Sequence, residues 1–239
     1  MAAAGNRRGA RSEGSAMTEL VNLLNVESAL RMPLMQLPVR TTAVLLGQAV
    51  VLLSPAPAAD LATCARLGTV TDIVAPTLFH HLGVQRAMQT FPQARCWGVP
   101  GFKAKRPDIA WSDELAPANW PYQAQLPVIS LAGMPKVNER VFVHHASKSL
   151  LVCDLCFNLV AAHGVGARII LGLFGTYRRF AVSRLSVRLI ADKTAFRRSL
   201  GEVFSYEFDN IVMSHGEIVY GDGRRRLLDA LKERDLSPL

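Results

Sequence analysis

With 239 residues, half of them apolar, and a formal charge of +8, the chain can bury a core of its own and is too apolar to be a disordered polyelectrolyte. No stretch reaches the roughly 18 uncharged apolar residues of a membrane-spanning helix, and the longest apolar passage, Leu150 to Phe174, is broken by Asp154, Asn158, His163 and Arg168. The excess Lys and Arg are scattered among the first residues, Lys103 to Arg106, Arg178–Arg179, Arg197–Arg198 and Arg224 to Arg226, with no interleaved aromatics, so they read as solvated faces and not as a nucleic-acid surface.

Residues 1–16 are small, basic and polar, with neither a signal-peptide core nor a helical face, and read as a disordered tail ahead of one domain over residues 17–239. From Thr42 to Ser54 two β-rich runs flank Gly47, the mark of a hairpin or of two adjacent strands. A helix is expected over Pro57 to Leu67, with Gly68 as its stop, followed by a buried strand from Thr69 to Ala75. His80 to Phe91 predicts a second helix, with His81, Val84 and Met88 on one face, and Ala94 to Val99 a further strand. Pro100 to Leu126 is Pro- and Trp-rich and reads as a long surface loop.

Three more strands are expected at Val128–Leu131, Arg140–Val143 and Leu150–Cys153, the last two joined by a turn over His144 to Ser149. The apolar passage beyond Asp154 reads as a loop and another strand. Asp192 is placed to cap a helix through Phe204, Asn210 to Met213 reads as a strand, and Asp222 caps a final amphipathic helix carrying Leu227, Leu228 and Leu231. Mixed strands alternating with helices make a layered α/β domain. The four cysteines, Cys64, Cys96, Cys153 and Cys156, need not staple a chain of this length and read as reduced thiols in a cytoplasmic setting; Cys153 and Cys156 are expected in a strand, on opposite faces.

Three passages place a polar residue with ligand chemistry just after a β-like run: VAPTLFHHLG at Val74 to Gly83, LLVCDLCF at Leu150 to Phe157, and IVMSHG at Ile211 to Gly216. Neutral imidazoles and carboxylates suit zinc and other first-row ions when three or four converge. In order and spacing the three passages resemble the metallo-β-lactamase superfamily, in which a strand ends in T-H-x-H-x-D-H-x-G, a later one in Asp and a still later one in His-Gly. The likeness runs from about Leu45 to Gly216 and implies a four-layer αββα sandwich.

The resemblance also implies a degenerate site. The family's first two histidines fall on Pro76 and Leu78, its acid on His80, and its third histidine on Met134, so the first metal position is expected to be empty. At the second position His80, His81, Asp154 and His215 remain as candidate metal ligands. The acid that normally ends an early strand is replaced by Ser54-Pro55, which weakens the support such a group gives a ligand. His144 and His145 lie at the far end of a hairpin from Asp154 and are left out, while His163 sits in a loop able to fold over the pocket.

These residues leave a choice between function classes. One divalent ion, zinc or iron, would support hydrolysis of a small ester, thioester or lactone, with Asp154 both ligand and catalytic group orienting water. A metal-free relic would instead serve as a ligand-binding or interaction protein, and a redox role for iron is a third reading. The expected partner is a small molecule, with no membrane and no nucleic acid.

Overall fold

The computed structural model describes residues 20–32, 34–161 and 164–239; the expected tail and His163 lie outside them. In chain order the elements are β1 (Leu23–Met32), β2 (Met35–Leu46), β3 (Ala49–Leu53), α1 (Leu61–Cys64), β4 (Thr69–Ala75), α2 (Val84–Thr90), β5 (Arg95–Gly98), α3 (Phe102–Lys105), β6 (Asp113–Glu114), β7 (Val128–Ser130), β8 (Arg140–His144) and β9 (Ser149–Val152). They continue with β10 (Phe157–Asn158), α4 (Val165–Phe174), β11 (Phe180–Ala181), α5 (Arg184–Arg188), α6 (Lys193–Ser205), β12 (Asn210–Met213) and α7 (Gly223–Lys232).

Two sheets dominate. The first runs in spatial order from β1 to β6, antiparallel through β3 and parallel beyond it. The second runs β12-β9-β8-β7, with β9 and β12 parallel. A strand's side chains alternate between its faces, and the second sheet divides accordingly. Val128, Phe142, Leu151 and Val212 join the core shared with the first sheet, whereas Ile129, Val141, Val143, Leu150, Val152, Ile211 and Met213 pack with Phe196, Leu200, Leu227 and Leu231 of α6 and α7. Leu61, Val84, Ala87 and Phe102 of α1 to α3 cover the first sheet, whose β3 is buried from Val50 to Leu53. The result is the four-layer αββα sandwich.

Several boundaries differ from expectation. Asp60 caps a single α-turn that tightens into a 3-10 turn over Ala65–Leu67 before Gly68, so the first helix is short. The second helix starts at Val84 and leaves His80 and His81 in the preceding turn. Gly83 sets this limit: a Cβ there would stand 2.3 Å from the Pro55 carbonyl oxygen, so the chain passes against the residues 55–56 backbone before it can coil. The segment 100–126 is not a surface loop. It carries α3 and β6, and it buries Ile109, Leu115, Trp120 and Leu126. Trp120 meets Trp97 edge-on at 5.3 Å, which shows why an aromatic-rich connection folds back onto the sheet.

The passage after Asp154 forms β10 and then the helix α4, not a second long strand. A short apolar run has no periodicity that separates the two, and the flanking Gly164 and Gly175, both at positive φ, delimit the helix. Cys153 and Cys156 follow β9 in a bend and are both buried. Asp222 precedes α7 without bonding its backbone; it pairs with Arg225 and Arg226 instead. Segment 23–40, for which the sequence prompts no expectation, supplies β1 and most of a long hairpin arm.

Candidate metal centre

Three strand ends meet at one point. The turn after β4 brings His80, the bend after β9 brings Asp154, and the residue pair after β12 brings His215. His80 Nε2 lies 3.1 Å from His215 Nε2, and Asp154 Oδ1 lies 3.5 Å from the former and 3.6 Å from the latter. This is the one group of three or more potential metal ligands among the described residues.

Local hydrogen bonds explain how each side chain is aimed. Thr77 is buried; its carbonyl accepts from the His80 amide at 3.1 Å and its hydroxyl accepts from the Phe79 amide at 2.9 Å, curling the turn so that His80 faces inward. The Thr77 hydroxyl donates in turn to Asp154 Oδ2 at 3.1 Å. Beneath Asp154, buried Glu139 accepts from the amides of Cys153 and Asp154 through Oε1, at 2.7 and 3.1 Å. The Ser214 amide donates to the Val152 carbonyl at 3.0 Å, tying the end of β12 to that of β9. Gly216 then has φ +98, and a Cβ there would stand 2.1 Å from the Asn158 carbonyl oxygen, so His215 is followed by a position that only glycine fits.

The imidazoles have defined partners on their far nitrogens. His215 Nδ1 is 2.9 Å from the Pro38 carbonyl, which can only accept, so the ring carries its proton there and presents an Nε2 lone pair to the centre. Phe157 stacks on the same ring at 5.3 Å and 10°. His80 Nδ1 lies 2.6 Å from the hydroxyl of Ser54. The serine that ends β3 therefore supplies an outer hydrogen bond of its own, and the loss of an acid at this position does not leave the ligand unsupported.

At the centre His80 and Asp154 each favour the charged form of the other. Burial works against a protonated His80, yet Cys153 and Asp154 hold its pKa well above the ordinary imidazole value. Burial raises the Cys153 thiol, and the charge and hydrogen bond of His80 pull it back down. Asp154, against the same desolvation, is held far below the carboxylate range by His80 and His215. Glu139 goes the other way: burial, then the charge of Asp154, pushes it up to about 8, so it is a neutral acid at pH 7.

His81 does not join this centre. Its Nδ1 lies 2.8 Å from Arg106 Nη1 and its ring meets Phe102 edge-on at 5.7 Å, while burial, Lys105 and Arg106 lower its pKa. Neighbouring residues in a tight turn point apart, and the turn spends its inward position on His80. Of the non-ligating replacements, Met134 is buried in the core behind the second sheet. His144 is also buried, 2.7 Å from Ser147 Oγ in the β8–β9 turn, apart from the three ligands.

The donor set fits a single ion. Ligand atoms about 2.0–2.1 Å from a tetrahedral zinc stand about 3.3–3.4 Å from one another, close to the 3.1, 3.5 and 3.6 Å found here. Two imidazole nitrogens and one carboxylate, each with an outer hydrogen bond, would hold such an ion beside a cavity of about 620 Å³ that all three residues line. That cavity is walled by β1, β2, α4 and α5, among them Leu30, Leu37, Ile170, Leu171 and Phe174. Sequence reasoning misses this wall, because segment 23–40 carries no clear signal and the apolar run of α4 reads as a strand.

No family model matches the sequence, and no curated protein matches it. Solved structures do match. A metallo-β-lactamase from Pontibacter korlensis superposes with a TM-score of 0.62 at 14% identity, over 89% of this chain and 95% of that one. The DIM-1 metallo-β-lactamase gives 0.61 at 12% identity over 90% and 92%, and a metallo-β-lactamase from Erythrobacter litoralis, with β-mercaptoethanol in its active site, 0.62 at 14% over 89% and 93%. The chain thus has the metallo-β-lactamase fold.

Proposed function

We propose that His80, Asp154 and His215 hold one divalent ion and that the protein hydrolyses an ester, thioester or lactone. The observation that carries this reading is the mutual spacing of the three donor atoms, which matches the edges of a four-coordinate site with one position open. When bound, such an ion acts as a Lewis acid toward a carbonyl and makes water a stronger nucleophile near neutral pH.

The chain's own residues supply orientation. His215 is fixed by Pro38 and Phe157, and His80 by Ser54. Asp154 Oδ1 faces the two imidazoles, and Oδ2, held by Thr77, is left to orient the attacking water. In the overall reaction a water oxygen bonds to the acyl carbon, the bond from that carbon to the alkoxy oxygen or thiolate sulfur breaks, and a proton passes to the leaving group. Pro76, Leu78 and Met134 offer no second set of ligands, so two-ion phosphodiester chemistry is disfavoured.

A second reading has its own observation. The 3.1 Å contact between the two Nε2 atoms is a hydrogen bond that satisfies both rings with no ion, as expected of a binding protein that has kept the fold without turnover. Elemental mass spectrometry on untagged protein purified without chelator decides between them. About one ion per chain, lost in a His80→Ala/His215→Ala variant and kept in His81→Ala, supports the hydrolase; no ion in the unaltered protein overturns it.

A further inference from the structure

The cavity beside the three ligands shows what kind of molecule they would meet. Its walls are almost wholly apolar: His80, Asp154 and His215 are the only titratable side chains among the described residues lining it, and no Lys or Arg is among them although the protein has 27. Three hydroxyls reach the wall, each tied to the protein by one hydrogen bond: Thr176 donates to the Leu171 carbonyl, Ser186 donates to the Asp154 carbonyl, and Ser183 accepts from the Leu185 amide. The titratable groups of the wall are confined to the end where His80, Asp154 and His215 sit. Met32, Leu34, Phe79 and Leu185 line the cavity and are also exposed, at 46, 68, 47 and 43% of their surface, so its rim is apolar.

We infer that the cavity takes the acyl chain of an amphiphile, a fatty acid or its ester or thioester, with the carboxyl-derived head at the three ligands and the chain running out between the β1–β2 hairpin and α4. This rests on the hydrolase reading for its chemistry but not for its binding. A ligand with several polar groups would leave them unpaired against Leu30, Leu37, Ile170 and Phe174, which costs affinity. A single polar head on an apolar body loses nothing there, and about 620 Å³ lies within the usual range of small-molecule pockets. The outward face of α4 carries the same character, since Val165, Ile169 and Leu173 are exposed at one-turn spacing beside the rim.

The test is a titration of the full chain, in chelator, with the fluorescent polyene cis-parinaric acid, followed by displacement with saturated fatty acids of four to fourteen carbons. Saturable binding at about one site per chain is expected, with displacement tightening about fourfold per added methylene over the middle of the series. Ile170→Trp, which fills the cavity, weakens binding at least tenfold with an unchanged thermal midpoint, and Ile169→Ser, on the outer face, does not. Because the titration is run in chelator, chain binding is read without any ion and metal content is read separately on untreated protein, so failure of the chain site and failure of the metal site are separable. Three results would overturn the inference: no saturable binding, equal displacement by butyrate and dodecanoate, or a stable dimer that Leu34→Asp dissociates and that binds no fatty acid.

Discussion

Ser54 Oγ lies 2.6 Å from Nδ1 of His80, at the end of β3, where the Ser54 backbone has a positive φ of 52°. A non-glycine residue held in that region costs energy that the surroundings must offset, and here the hydroxyl is delivered to the far nitrogen of a candidate ligand ring. Outer hydrogen bonds of this kind are worth about 10–100-fold in metal affinity. Ser54→Ala is therefore expected to weaken zinc binding by about that factor, measured by competition with a chromogenic chelator. Equal affinity in the two proteins would show that Ser54 does not position His80.

Glu139 is a buried neutral acid whose value lies near 8, raised by desolvation and then by Asp154. Its Oε1 accepts two amides, whereas its Oε2 has no partner among the described residues. What the fold requires of it is an acceptor oxygen, not a charge. Glu139→Gln keeps that oxygen and is expected to change stability at pH 7 by less than about 1 kcal/mol, while Glu139→Ala strands two buried amides at about 2–3 kcal/mol. Urea denaturation of the pair checks this, and a Gln variant as damaged as the Ala variant would contradict it.

Gly216 and Gly47 make a matched comparison, since both have positive φ. A Cβ at Gly216 overlaps the Asn158 carbonyl, whereas one at Gly47 meets nothing within 4 Å. Gly47→Ala should cost about 1 kcal/mol, from backbone strain alone. Gly216→Ala should cost about 3 kcal/mol or more and should also displace His215, so that its metal content falls with its stability. Similar unfolding midpoints for the two variants would argue that the contact between Gly216 and Asn158 yields to an added methyl group.

His144 gives the acid response a specific source. It is buried against Ser147, and burial, then His145, lowers its pKa from 6.5 to about 4. Its native state binds the proton less well than its unfolded state, so the stabilisation is complete above pH 6.5 and is lost as pH falls from there toward 4. The full loss is about 3 kcal/mol. Denaturation curves at about pH 7.5, 5.5 and 4 should show a shallower decline for His144→Gln than for the unaltered chain; parallel declines would exclude His144 as a source.

The end of β2 and β3, β4, β5, β7, β8, β9 and β12 were legible because their runs are apolar and several of their ends carry plain stops: Gly47 between β2 and β3, Gly68 before β4, His144 to Ser149 between β8 and β9. The site passages were legible for a related reason, since a polar residue directly after a β-run has few places to go except the sheet's rim. What the sequence hid depended on contacts between distant segments. Nothing in HHLG states which histidine faces inward; that is decided by Gly83 against the residues 55–56 backbone and by Thr77 beneath the turn. The helical state of α4 was hidden because its apolar residues surround the axis, facing the cavity on one side and leaving Val165, Ile169 and Leu173 exposed on the other.

Parallel pairing of β9 with β12, in the register Val152 opposite Met213, means that Asp154 and His215 leave adjacent strands almost side by side. Their separation is set by the sheet's hydrogen-bond ladder and by the packing of α6 and α7 behind it, not by anything that binds between them. Such a centre is formed with the fold itself. It differs from small zinc domains, where ligation and folding are one event: an ion bound here would come and go without the chain unfolding.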